Sequence, residues 1–110
     1  MDGIKGVFQG GPAANKPGWT WENNALLFAT DPVAMDHVLW KQIDAKRKEK
    51  GLPPVGAVGK LGLDPLKTEA FDIRQPQHIP LCANLGLGIF EFDSPRGKDF
   101  SINHQVHTIA

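Results

Sequence analysis

The chain has 110 residues, the usual size of one domain, which argues against two independent cores. Hydrophobic residues make up 41% and charged residues 22%, the balance of an ordinary globular protein and not of a disordered one. Twelve basic residues are matched by twelve acidic ones, so no global field draws the chain to nucleic acid or to an anionic membrane surface.

Cys82 is the single cysteine. It excludes an intramolecular disulfide and an iron–sulphur cluster ligated by cysteines of this chain alone. Its setting, Ile79-Pro80-Leu81-Cys82-Ala83, predicts a buried structural thiol and not a nucleophile. No apolar run approaches the roughly 20 residues that a bilayer span needs, and the N-terminus lacks the layout of a secretory signal. The expectation is a soluble chain whose compartment is left open.

In chain order, Asp2 to Phe8 reads as a short Gly-interrupted strand or turn, and Gln9 to Gly18 as a loop rich in glycine and proline. Trp19 and Trp21 follow with strand-like alternation. The run Ala25-Leu26-Leu27-Phe28-Ala29 has the pattern of a strand covered on both faces. Thr30-Asp31-Pro32 is a helix start, with Asp31 as the N-cap and Pro32 at the first helical position. Nothing breaks a helix from Val33 to about Lys50, where Gly51 and Pro53-Pro54 stop it. At 100° per residue Ala34, Met35, Val38, Leu39 and Ile43 form one apolar face, extended by Val33 and Trp40. The run Lys46-Arg47-Lys48-Glu49-Lys50 complements the negative end of that helix.

Residues Gly51 to Gln75 read as a long excursion with little regular structure. A second helix is predicted from about Pro76 to Leu85, with Ile79, Cys82 and Ala83 on one face and Gly86 at the left-handed position beyond it. Ile89-Phe90-Glu91-Phe92 then reads as a strand, Ser94-Pro95-Arg96-Gly97 as a turn, and Asp99 to His107 as a final strand.

This order of parts resembles the C-terminal portion of the domain of unknown function 362 family. The residues that carry the resemblance are Asp2-Gly3-Ile4, Gly10-Gly11-Pro12, Asp31-Pro32-Val33-Ala34-Met35-Asp36, His78-Ile79 and Gly86-Leu87-Gly88. The family's members are generally longer; some are joined to ferredoxin-like iron–sulphur modules and some carry twin-arginine export signals. This sequence shows neither cluster cysteines nor a twin-arginine leader. The resemblance therefore implies a reduced form or a C-terminal part of the family domain, with an iron–sulphur redox partner implied by association alone.

Among residues able to carry chemistry, Asp31 and Asp36 are five apart, about 140° round a helix, so one helix cannot aim both at one point. Asp31 has a sufficient structural role as a cap. Asp36 falls in the apolar arc between Ile43 and Trp40, where a carboxylate needs a partner, either a structural donor or a ligand. The Gly10-Gly11 loop has backbone N–H groups for an anion, but it lacks dinucleotide-binding and Walker spacings, and a tight turn is the reading the residues favour. His37 adjoins Asp36 yet diverges from it by 100°, and His78 caps or borders the second helix. His104 and His107 sit at an odd spacing that sends two strand residues to opposite faces.

The expected fold is α/β or α+β, a small mixed sheet with one long helix over about 31–50 and one short helix over about 76–85. It forms a single domain over 1–110. Two functional readings stand. One is a ligand-binding or interaction module that associates with itself or with a partner polypeptide; the other is an enzyme combining Asp36 and the Gly10-Gly11 loop with residues of an absent N-terminal half. Gly10, Gly11, Asp31, Asp36, His37 and His78 are the candidate ligand-binding residues under both. No three ligands have a recognisable metal spacing, so no cofactor and no tightly held metal are expected. Elemental analysis of untagged protein tests this, and one equivalent of zinc, iron or nickel would bring Asp36, His37 and His78 to the front.

Overall fold

The structure is a computed structural model that describes residues 1–9, 17–55, 76 and 78–109. It contains strands β1 (Asp2–Val7) and β2 (Thr20–Leu26) and helices α1 (Pro32–Glu49) and α2 (His78–Asn84), with 3-10 turns at Pro17–Trp19 and Lys98–Phe100. The two strands pair antiparallel, which makes the fold α+β, with one long helix and one short one. The described residues gather in two compact units, Met1–Phe28 with Leu39–Pro76, and Ala29–Val38 with Gln77–Ala110. The Gly10-Gly11 loop and most of the excursion between Gly51 and Gln75 lie outside the described residues.

α1 begins and ends where its sequence dictates. The Asp31 side chain accepts the Ala34 N–H at 2.9 Å, and Pro32 needs no donor at the first helical position. Gly51 takes a φ of 73°, the left-handed conformation that ends helices. Its N–H donates to Lys48 O at 3.0 Å and the Leu52 N–H to Arg47 O at 2.8 Å, so the last carbonyls keep partners. Lys46, Arg47 and Lys48 stand in the final turn, against the negative helix end. Burial falls on Val33, His37 and Val38, while Ala34, Met35, Leu39, Trp40 and Ile43 are half-buried. The apolar face is therefore present but centred one step round, toward Val33 and His37.

In the first unit β2 alternates from Trp21 onward, and the alternation continues past its end. Trp21, Asn23, Ala25 and Leu27 are half-buried, while Glu22, Asn24, Leu26 and Phe28 are exposed. The expectation of a strand covered on both faces over Ala25 to Ala29 is overturned: the strand ends at Leu26, Leu26 is 64% exposed and Phe28 is 89% exposed. A two-stranded ribbon can bury one face only, so a continuous apolar run leaves every second residue in water. The inner face holds Phe8, which is buried, with the Trp21 ring tilted beside it at a centroid distance of 6.3 Å. Trp21 lies over Gly6, its cross-strand partner, where any Cβ would meet the indole.

The ribbon carries a register shift between Gly3 and Lys5, opposite Asn23 and Asn24. Asn24 absorbs the extra residue by adopting a φ of 53°, which Asn tolerates better than most side chains. Asn23 Nδ2 then donates to Gly3 O at 3.0 Å and to Gln42 Oε1 on α1 at 3.4 Å. Farther along α1, Arg47 donates through Nη1 to Phe8 O at 2.8 Å and through Nε to Pro53 O at 2.7 Å. Burial lowers the pKa of the Arg47 guanidinium, and nearby Asp44 partly offsets this. Asp44 Oδ1 accepts the Val55 N–H at 2.7 Å.

In the second unit α2 ends as expected. Gly86 has a φ of 79°, its N–H donates to Ala83 O at 2.9 Å, and the Leu87 N–H donates to Cys82 O at 3.1 Å. Ile79 is buried, whereas Cys82 and Ala83 on the same face are half-buried. Cys82 is thus half-buried and not the fully buried residue expected. The turn over Ser94 to Gly97 is present, closed by the Gly97 N–H on Ser94 O at 3.1 Å. Neither expected strand, Ile89 to Phe92 or Asp99 to His107, forms a ladder. Residues 98–100 are a 3-10 turn, and one bond of 2.8 Å, Ile102 N–H to Glu91 O, joins the two segments.

Two substitutions probe this description. Asn24→Val should lose about 1–2 kcal/mol in urea denaturation, because a β-branched residue resists positive φ, while Asn24→Gly stays near wild type. Equal stability of the valine variant would mean that the bulge is not held in this conformation. Leu39→Ala should fall below the roughly 2–5 kcal/mol of a fully buried leucine, and Ile79→Ala should reach that range.

Candidate functional site

The beginning of α1 and the segment that follows α2 bring together two parts of the motif pattern. Asp31 is the junction. Its Oδ1 caps the helix at Ala34, and its Oδ2 accepts the Ile89 N–H at 2.8 Å, across 58 residues of sequence. Gly88 makes this approach possible, since a Cβ there would fall on Asp31 Oδ1 and within 2.8 Å of Val33 Cβ. The Asp-Pro and Gly-Leu-Gly elements are therefore two sides of one contact.

His37, the sixth residue of α1, is buried. Its ring stacks on Phe90 with centroids 4.0 Å apart and planes 8° from parallel, and tilts against Phe92 at 4.7 Å. Nδ1 lies 2.5 Å from Phe90 O. A carbonyl can only accept, so Nδ1 carries the proton in this contact. The Ile89 N–H and the Phe90 carbonyl are thus bonded to Asp31 and His37 and not to a strand partner. Burial of His37 was not legible in the apolar count. The signal was its spacing, four residues from buried Val33 and next to buried Val38.

Asp36 points elsewhere. Its side chain is 44% exposed and its Oδ2 lies 3.8 Å from Nε2 of His78, the first residue of α2, whose side chain is 67% exposed. The expectation that Asp36 is held in an apolar arc is thus corrected, because the carboxylate stays in reach of water and needs no buried donor. The separation exceeds hydrogen-bond length, and an ion pair this exposed contributes at most about 1 kcal/mol. His104 and His107 are both exposed. Of the six candidates, Asp31 and His37 have backbone partners, Asp36 and His78 face each other at the surface, and Gly10 and Gly11 lie outside the described residues. Among the described residues no three His, Cys, Asp or Glu side chains gather into a metal-binding group.

Two expectations separate these roles. Asp31→Ala removes the cap and the Ile89 acceptor together and should cost about 2–4 kcal/mol, whereas Asp31→Asn retains one acceptor and should cost less. Asp36→Asn and His78→Ala should each shift stability by less than about 1 kcal/mol. Denaturant melts read all four, and a large loss on His78→Ala would show that the surface pair is structural after all.

Comparison with family models, with curated proteins and with solved structures finds no match to this chain.

Proposed function

We propose that this chain is a ligand-binding or interaction module resembling the domain of unknown function 362 family, and that it binds a second copy of itself or a partner polypeptide. One observation supports this reading above the others: large apolar side chains are left in water while few are buried. Among the described residues Phe8, Val33, Val38 and Ile79 are the buried apolar side chains, against exposed Leu26, Phe28, Leu81, Leu85 and Leu87, among others. Large apolar side chains left exposed in each unit are what a surface that associates with another polypeptide would present. The iron–sulphur partner remains an implication of the resemblance, outside anything the side chains of this chain supply.

A second reading, an enzyme that joins Asp36 and the Gly10-Gly11 loop to residues of an N-terminal half of the family domain, is favoured by the Asp36–His78 contact. A carboxylate beside an imidazole, both open to solvent, is a pair able to accept and return a proton. The two readings differ in what Asp36→Asn does. In the enzyme it abolishes the thermal stabilisation given by a small-molecule ligand, and in the module it leaves association untouched.

Sedimentation equilibrium across a dilution series tests the module directly. The expected result is a species heavier than 12.0 kDa that dissociates on dilution, or a monomer that forms a heavier complex with a purified iron–sulphur partner protein. A folded species that stays at 12.0 kDa throughout and forms no such complex would overturn it.

A further inference from the structure

We draw no further inference here: the strongest candidate, the exposed face of the β1–β2 ribbon carrying Ile4, Leu26 and Phe28, is already part of the function proposed above, and nothing in the structure shows which partner covers it.

Discussion

The Asp31 carboxylate accepts one backbone N–H at the start of its own helix and another from Ile89, and the second unit depends on that double use. An N-cap alone is a local device, contributing about 1 kcal/mol to one helix. Adding Ile89 turns it into a long-range tie, because the same carboxylate now holds a segment that approaches closely only through Gly88. His37 repeats the arrangement with opposite polarity, since its N–H meets the carbonyl of the next residue, Phe90. The segment thus gives one donor and one acceptor to side chains of α1, and the stacked His37 and Phe90 rings cover the join.

The other half of α1 works the same way in the first unit. Gln42 meets Asn23 at the bulge, Asp44 accepts the Val55 N–H, and Arg47 donates to Phe8 O and Pro53 O. Asp31, His37, Asp44 and Arg47 thus satisfy backbone groups of the segments packed against α1, while Gln42 meets a side chain. Such bonds contribute about 1 kcal/mol each, more where the side chain is charged, but losing one leaves a partly buried backbone group without its partner. That asymmetry makes them more important to specificity than to total stability. It also suits a chain whose buried apolar set, among the described residues, is small.

The helices were legible because their ends are set by local chemistry. Asp31-Pro32 at one end and Gly51 at the other bound α1, and Gly86 closes α2, through backbone conformations and caps that need no tertiary partner. The turn at Ser94 to Gly97 was legible for the same reason. The strands were harder, because a strand is defined by its neighbour. Ile89 to Phe92 has strand composition, yet its Ile89 N–H and Phe90 carbonyl are bonded to Asp31 and His37 and not to a strand partner. Ala25 to Ala29 is apolar throughout, but a two-stranded ribbon has no second layer to cover Leu26 and Phe28. Among the candidate site residues, the Asp31 cap was legible from its position, whereas its tie to Ile89 was not, since nothing local connects residues 58 apart. Asp36 was misplaced because the helical wheel assigns it to an arc without showing where that arc is covered.

These contacts change how the motif residues should be weighed. Asp31, Gly86 and Gly88 each have a structural explanation: a double acceptor, a left-handed helix end and a close approach. A pattern made of such residues reports the fold far more strongly than it reports chemistry. Asp36 and His78 differ, since both sit within the same pattern, both are solvent-accessible, and their mutual contact is too long and too exposed to stabilise the unit appreciably. Among the described residues, this carboxylate and imidazole make no hydrogen bond that holds the second unit together, so they are where a search for ligand or proton chemistry should begin.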